Sequence, residues 1–494
     1  MSLKGSVLEE SHSSIYSCVS DLTRVSLEKG NRVRACLASY ALTQLHRVDS
    51  GYNFPSIPSL GLPFLFFIQG LRKIFKRTKF LKIGRSRKAS KTKKVALWLE
   101  NYQYPEIDDE PFKRILRDEG FSVKDLELDW RDAFQSLKAL MYLSFHLGRE
   151  INNVADNIFE KTNYCARSKI IDSLRAKECR ARLIDAFAIS NVFVLRNTQL
   201  GNEETLVFTR HNGDVWPVLA LNHNDGIRKS NSESFKIILL SHAGVPVNFP
   251  VSTVSEYVDQ IWAKTEASVK VFRNRLDSRS CPIYLVGDPR VDKNIHDEND
   301  SCIYDLPLVS VALTETANER FFGKQSFSVI SFLKKITYAS GEEFKVQIKR
   351  RERLSRLEKM LSVFLRSGRY SLMKFVTDSS IVENVKKTSF AIVVANPKLR
   401  MISSVVLDYY QASVPTVILV PESFFKDKAR WKSDISSFSV RVISVEEAEL
   451  KIKKGEFFCF LKEVVSSDSV RSDSISSTLM FRNLVRNLSD RTSN

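Results

Sequence analysis

The sequence predicts an α/β protein with two doubly wound parallel sheets and a basic helical extension at its N-terminus. Strand-like and helix-like segments alternate twice along the 494 residues, on either side of a polar, acidic segment at 293–305. The apolar runs in both regions are rich in β-branched residues, as is typical of strands buried on both faces. Alternation of this kind indicates parallel sheets covered by helices.

Composition bounds the possible classes of protein. The chain is 43% hydrophobic and 27% charged, which suits two or three globular domains of roughly 100–200 residues each. Its net charge of +18 favours an anionic partner, such as nucleic acid, a membrane surface or a phosphorylated substrate. The seven cysteines form no CxxC pair, so neither a disulfide framework nor a zinc site is predicted. The absence of a secretory signal in the sequence predicts a cytoplasmic protein.

Residues 1–94 are predicted to form a helical and basic extension. Amphipathic helices at 1–50 precede a Pro/Gly/Ser linker at 51–63. Residues 72–94 then contain twelve Lys and Arg and no acid, with apolar residues interleaved at near-helical spacing. Segment 64–94 is therefore predicted to lie on the anionic inner face of a membrane. An inert, solvated tether and a contact with RNA or DNA remain open as alternatives.

The first α/β region is predicted to span 95–292. Most of 112–190 has helical patterns, as do 215–229 and two stretches between 252 and 279. The predicted strands are 95–99, 191–195, 204–209, 235–244 and 281–290.

The second α/β region is predicted to span 306–465 and to be followed by a Ser/Arg-rich tail at 466–494. Its predicted helices are 326–340, 352–366 and 403–413, and its predicted strands are 306–315, 343–350, 388–396 and 415–422. In doubly wound sheets, ligands bind beyond the carboxyl ends of the strands. The residues that follow each strand are therefore the first candidates for a site.

Two serines follow the predicted strand at 388–396. Ser403 and Ser404 open a helix whose free backbone N–H groups favour a phosphate. Asp408, about one turn later, is placed to accept hydrogen bonds from a ribose. The same residues also fit a simple N-cap and a first-turn carboxylate that interacts with the helix dipole, so both interpretations stay open.

Four segments, in order, resemble one family. The stretch 392–419 resembles the donor-binding helix of GT-B glycosyltransferases, in which small or hydroxyl residues precede a helix with an acidic residue, followed by Pro and a buried strand. Residues 284–292 (YLVGDPRVD), 237–246 and 344–352 resemble segments of bacterial capsule and teichoic-acid transferases, with Arg350 at the first position of their His-Pro pair. The resemblance implies two Rossmann-like domains facing a cleft, with the acceptor domain first and the nucleotide-sugar donor domain second.

Sugar transfer requires a general base and groups that stabilise the leaving diphosphate. The base candidates follow strands of the first region: His211 and Asp214 after 204–209, and His242 within 235–244. Arg210 is a candidate for binding an anionic acceptor or a donor carboxylate. The resemblance implies neither a metal nor a cofactor. It implies that four residues bind the donor phosphates: Lys349, Arg350, Ser403 and Ser404.

The predicted function is therefore transfer of a sugar, or of a phosphoglycosyl unit, from a nucleotide-activated donor to a surface-polysaccharide or lipid-linked acceptor. A nucleotide-sugar epimerase of the same fold shares the donor site and stays open as an alternative. A non-enzymatic binder of nucleic acid, suggested by the net charge, is the third hypothesis.

Overall fold

The structure is a computed structural model of the 494-residue chain. The residues that it describes are 3–49, 54–78, 94–99, 110–162, 166–198, 204–209, 235–241, 258–264, 266–275, 281–289, 308–313, 345–349, 373–376, 385, 388–394, 406, 409, 414–420, 441–457, 459–460, 463 and 476–490.

The first described sheet is wholly parallel. Its strands are β1 (Lys94–Trp98), β2 (Ser122–Asp125), β3 (Glu204–Thr209), β4 (Phe235–Leu240), β5 (Gln260–Ala263) and β6 (Ile283–Leu285). They lie in the order β2-β1-β3-β4-β5-β6.

The second described sheet is also wholly parallel. Its strands are β7 (Leu308–Leu313), β8 (Lys345–Lys349), β9 (Met373–Val376), β10 (Phe390–Val394), β11 (Thr416–Val420) and β12 (Arg441–Ser444). They lie in the order β12-β11-β10-β7-β8-β9. Two such sheets in one chain confirm the predicted fold class, α/β with two doubly wound, Rossmann-like parallel sheets.

Most of the described helices belong to the first half of the chain. They are α1 (Leu3–Glu28), α2 (Arg32–Asp49), α3 (Leu62–Arg77), α4 (Glu110–Asp118), α5 (Trp130–Thr162), α6 (Arg167–Arg175), α7 (Lys177–Leu183), a π-helix (Ile184–Ser190), α8 (Asn191–Thr198), α9 (Glu266–Arg275), α10 (Val445–Lys453) and α11 (Ser477–Asp490).

Alternating residues of the first sheet pack into two separate cores. On β1, Val95 and Leu97 join a large cluster that contains α1, α2, α3 and α5 to α8. Ala96 and Trp98 point to the opposite face and join a smaller cluster with α4 and α11. This follows from the two-residue period of a strand. The N-terminal helices are therefore packed into the same core as the sheet.

Two predicted segments have a different structure. The apolar run 191–195 was predicted to be a strand, and this is wrong: it lies in α8, directly after the π-helix, with Val192 and Phe193 buried in the helical layer. A short apolar run has no periodicity that separates a buried strand from a buried helix. The two helical stretches predicted between 252 and 279 are likewise wrong in part, since β5 occupies Gln260–Ala263, and among the residues described in that range the helix is α9.

The chain end also departs from its prediction. Within the predicted tail 466–494, residues 477–490 form α11, which packs on α4 and on the first sheet. Phe481 and Val485 are buried there, one helical turn apart. The predicted helices at 215–229, 326–340 and 352–366, and the predicted linker at 293–305, lie outside the described residues.

The predicted amphipathic helix is present as α3, and it packs against α5. Its buried face includes Phe66, Gly70 and Ile74. Two of its cations turn inward to one buried carboxylate: Lys73 donates to Asp185, and Arg77 lies 3.5 Å from the same side chain. Desolvation of the ammonium lowers the pKa of Lys73, against the opposing effect of Asp185.

The contact between α3 and α5 gives a prediction at Gly70. A Cβ atom there would lie 2.3 Å from Cδ1 and 2.9 Å from Cγ of Leu140, so rotating the leucine does not clear it. We expect Gly70→Ala to lower the free energy of unfolding by about 1–3 kcal/mol, as overpacking does. Gly148→Ala on α5, which meets nothing within 4 Å, should raise it by roughly 0.5–1 kcal/mol. Urea denaturation measures both, and effects of the same sign would contradict the packing.

Candidate functional site at the carboxyl edges of the sheets

Each sheet has one point at which its strand order reverses. In the first sheet, β2 lies on one side of β1, whereas β3 and the later strands lie on the other. In the second sheet, β8 and β9 lie on one side of β7, whereas β10, β11 and β12 lie on the other. Ligands of open α/β sheets bind in the crevice that forms at the carboxyl ends beside such a point. The carboxyl ends of β1 and β3, and those of β7 and β10, therefore define the candidate sites.

Thr209 ends β3, beside the reversal of the first sheet. Its side chain is 1% exposed, and its Oγ1 has no hydrogen-bond partner among the described residues. Buried hydroxyl groups are nearly always hydrogen-bonded in folded proteins, so this one marks a position where a polar group is needed. Arg210, His211 and Asp214 follow Thr209 directly in sequence.

Three buried polar residues follow the next strands along the same edge. The backbone N–H of Lys264, after β5, donates to Oγ of Ser241, after β4, at 3.1 Å. The Lys264 ammonium donates to Asp288, after β6, at 2.5 Å. All three are at most 4% exposed. This arrangement ties the carboxyl ends of three strands together, and burial of both charges assigns the pair a structural role.

The C-terminal helix reaches the same edge. Gly287 has φ of 67°, and a Cβ atom there would lie 2.2 Å from Oγ of Ser477, the first residue of α11. Only glycine combines this left-handed backbone with so close a neighbour. Gly287 and Asp288 belong to the Gly-Asp-Pro part of the motif at 284–292. Gly287 lies against α11 and Asp288 pairs with Lys264 after β5, so the two residues join β6 to α11 and to β5.

The predicted catalytic residues follow the strands at this edge. Arg210, His211 and Asp214 come after β3, and His242 comes after Ser241 at the end of β4. These four residues lie outside the described part of the chain, so their placement at the edge of the sheet stays a prediction.

The predicted donor residues follow strands of the second sheet. Lys349 is the last residue of β8, and its backbone is paired with Ala312 of β7. Val406 and Tyr409 are helical and buried, which agrees with the helix predicted at 403–413. The side chain of Lys349 and four further residues lie outside the described part: Arg350, Ser403, Ser404 and Asp408.

Sequence reasoning missed the pairing of Lys264 with Asp288. Its two members are separated by 24 residues, and only the strand order brings them together. The sequence did carry one signal, since Asp288 lies in the stretch that was predicted as a buried strand ending in Gly-Asp-Pro. Lys264 follows β5, which was not predicted.

The described cysteines offer no buried nucleophile. Burial raises the pKa of the Cys36 thiol to about 12, and it raises that of Cys179 further. Nor does the described part of the chain bring three or more His, Cys, Asp or Glu side chains together in a group that could hold a metal ion. The described helices include none with the length and hydropathy of a membrane span.

Comparison with known proteins shows similarity only at the level of solved structures. No protein-family model and no curated protein matches the chain. A protein described as a UDP-N-acetylglucosamine 2-epimerase, from Listeria monocytogenes, is 9% identical, with coverage of 82% of this chain and 97% of that chain and a TM-score of 0.47.

Two further structures are similar at a comparable level. The UDP-GlcNAc 2-epimerase of Methanocaldococcus jannaschii, solved with UDP-GlcNAc and UDP, is 10% identical, covers 80% of this chain and 99% of its own, and gives a TM-score of 0.42. The glycosyltransferase SnogD of Streptomyces nogalater is 10% identical, covers 80% and 100% respectively, and gives 0.38. At these values the similarities assign the chain to no family.

Proposed function

We propose that the protein is a nucleotide-sugar-processing enzyme, and specifically a metal-independent GT-B glycosyltransferase that acts on a surface-polysaccharide or lipid-linked acceptor. One observation carries the proposal. In both sheets, the residues predicted to do the chemistry end a strand, or belong to the segment that comes after a strand, at or next to the reversal of strand order. That is where open α/β sheets bind their ligands.

The second sheet supplies the donor half. Numbered from β7, its order is 3-2-1-4-5-6, the arrangement that binds nucleotides across the reversal point. Ser403 and Ser404, which follow β10, would hold the diphosphate on a helix N-terminus, with Asp408 on the ribose. Lys349 and Arg350, at the end of β8, would neutralise the charge that develops on the leaving diphosphate.

The first sheet supplies the acceptor half. His211 and Asp214 follow β3 beside the reversal, and His242 follows β4, one strand further along. Any of these three groups would serve as the general base that removes the proton of the acceptor hydroxyl. Arg210, which follows Thr209 in the sequence, would bind an anionic group of the acceptor.

Calorimetric titration with nucleoside diphosphates tests the donor site. We expect Ser404→Ala and Lys349→Ala each to weaken binding by about 10–100-fold, because each removes a hydrogen bond to a charged group worth roughly 1.5–3 kcal/mol. Loss of a cation also removes charge stabilisation of the leaving group, so turnover should fall further than affinity.

Matched controls come from the same sheet. Ser444 caps α10 after β12, away from the reversal, and its Oγ accepts from Glu447 N at 2.9 Å. Ser444→Ala should leave nucleotide affinity unchanged while lowering stability by about 1 kcal/mol. Lys345 begins β8 at the opposite edge, and Lys345→Ala should also leave affinity unchanged. Equal affinity in all four variants and the wild type would rule out the donor site.

Product analysis separates transfer from the alternative reaction. Incubation with a nucleotide-sugar and no acceptor should give no isomerised nucleotide-sugar. If the 2-epimer forms under these conditions, the protein is an epimerase that uses the same donor site.

A further inference from the structure

The exposed apolar side chains of the described residues are concentrated on two helices. Eight of the eleven large hydrophobic side chains that are exposed lie on α3 and α5. Single exposed apolar residues are ordinary, but a concentration of large ones marks an interaction surface. These eight residues form the exposed apolar surface of α3 and α5: Phe64, Leu65, Phe75, Trp130, Phe134, Met141, Tyr142 and Phe145.

On α5, the exposed apolar residues form a stripe. Trp130, Phe134, Met141 and Phe145 are spaced by four, seven and four residues, so they lie on one face of the helix. Phe145 is 79% exposed and Phe134 is 69% exposed, and the opposite face of α5 is buried in the main core. The stripe therefore has no covering element among the described residues.

On α3, the outward face is apolar as well. Its buried face packs on α5 through Gly70, which lies against Leu140. Phe64 and Phe75 lie on the opposite side of the helix, and both are more than half exposed. A surface helix normally places polar residues on its outward side. Because α3 is already packed against α5 through its other side, its outward apolar side chains indicate a second apolar contact.

The exposed charged residues of α3, and those of α5 up to residue 149, are basic. They flank the exposed apolar surface on both helices: Arg72, Lys76, Arg131, Lys138 and Arg149. Residues 62–77 contain no acid, and the one acid within 130–149, Asp132, is 2% exposed. Lys73 and Arg77 face inward and pair with Asp185, so the outward cations are the ones placed to contact an external partner.

We propose that the exposed faces of α3 and α5 bind the surface of an anionic lipid bilayer. Aromatic and aliphatic side chains enter the boundary between headgroups and acyl chains, while the cations contact the lipid phosphates. This combination favours a bilayer over nucleic acid, which offers no apolar layer for Met141, Leu65 and Phe134. The proposal extends the membrane contact that was predicted for the basic segment 64–94 to α5, and it does not rest on the nucleotide site.

Vesicle co-sedimentation of the full chain tests the proposal. We expect binding to vesicles of phosphatidylcholine with about one-third phosphatidylglycerol, little binding to phosphatidylcholine alone, and weaker binding as salt rises. Phe134→Ser combined with Phe145→Ser should abolish binding. The matched control is Leu450→Ser with Leu479→Ser, two exposed leucines on α10 and α11, which should bind as the wild type does.

The charge contribution has its own variants. Replacing Arg131, Lys138 and Arg149 together with Gln should lower the partition coefficient about a hundredfold, since each basic residue near an anionic surface contributes about a factor of five. Lys453→Gln with Lys454→Gln, two exposed cations at the end of α10, should change it little.

Fluorescence of Trp130 reports insertion directly. Vesicles should shift the emission of the wild type to shorter wavelength by more than that of Trp130→Phe. This difference belongs to Trp130, because the other four tryptophans are common to both proteins. Equal binding to neutral vesicles, or unchanged binding of the Phe134→Ser and Phe145→Ser variant, would overturn the proposal. The proposal would also be overturned if the protein bound no vesicles and instead formed a dimer, or a complex with RNA, that this variant abolishes.

Discussion

Replacing Lys264 with methionine is expected to lower the free energy of unfolding by about 3–5 kcal/mol, the usual cost of removing one partner of a buried ion pair. The Lys264 side chain is 4% exposed and that of Asp288 is fully buried. Methionine fills nearly the same volume, so the loss comes from the carboxylate left without its cation in a site that water does not reach. Chemical denaturation with a two-state fit measures the change.

A double variant separates the loss of the pair from a loss of packing. Lys264→Met with Asp288→Leu removes both charges and should recover most of the lost stability, because two apolar groups require no compensation. If the double variant is as unstable as the sum of the two single ones, the carboxylate is not the cause.

Lys113 offers a matched control for this experiment. Its side chain is 6% exposed, close to that of Lys264, and its ammonium lies 2.6 Å from Asp125. Asp125, however, is 43% exposed, so water solvates it when the ammonium is removed. We expect Lys113→Met to cost at most about 1 kcal/mol, as for a pair that reaches the surface. Equal losses in the two lysine variants would contradict the role of burial.

Replacing Phe481 with alanine is expected to destabilise the protein by about 3–5 kcal/mol and to detach α11 from the first sheet. The Phe481 ring is fully buried, with its centroid 5.1 Å from those of Trp262 and Phe112, both in edge-to-face geometry. Such ring pairs add about 0.5–1.5 kcal/mol each to the effect of area burial.

Hydrogen exchange shows whether the helix detaches. Amides of 477–490 should lose protection in Phe481→Ala, while those of β10 and β11 in the second sheet keep theirs. Leu479, on the same helix, is 48% exposed, and Leu479→Ala should change stability by less than about 0.5 kcal/mol. Unchanged protection of α11 in Phe481→Ala would show that the exposed pairs of Arg482 and Arg486 with Glu119 hold it instead.

The buried strands were accessible to sequence reasoning. The strands β4, β10 and β11 contain apolar runs of four or five residues with Val or Ile, and β3 contains the shorter run Leu-Val-Phe. Each of the four was predicted within a few residues of its observed bounds. Four strands of only four residues each were missed: β2, β5, β9 and β12. In β2 (Ser122–Asp125), an edge strand, no residue is fully buried, and β5 (Gln260–Ala263) lies between helical patterns.

Long-range contacts explain the other differences. The run at 191–195 is helical because its neighbours in the fold are helices, and the local sequence does not contain that information. The helix at 477–490 was visible in principle, since Phe481, Val485 and Leu488 follow helical spacing. Serine-rich composition around it obscured that pattern. From the sequence, the candidate donor and base residues could be identified only by their positions after strands. Which of these strands lie beside the reversal could not be predicted, because strand order is a property of the whole chain.

The return of α11 to the first sheet has a consequence for synthesis on the ribosome. The second covering layer of that sheet combines α4, at residues 110–118, with α11, at residues 477–490. Until residues 477–490 emerge, the aromatic surface formed by Trp98, Phe208 and Trp262 lacks the Phe481 ring that packs on it. The first sheet of the nascent chain therefore lacks part of its covering layer until the second sheet has been translated, and transiently exposed apolar surface of this kind is prone to aggregation.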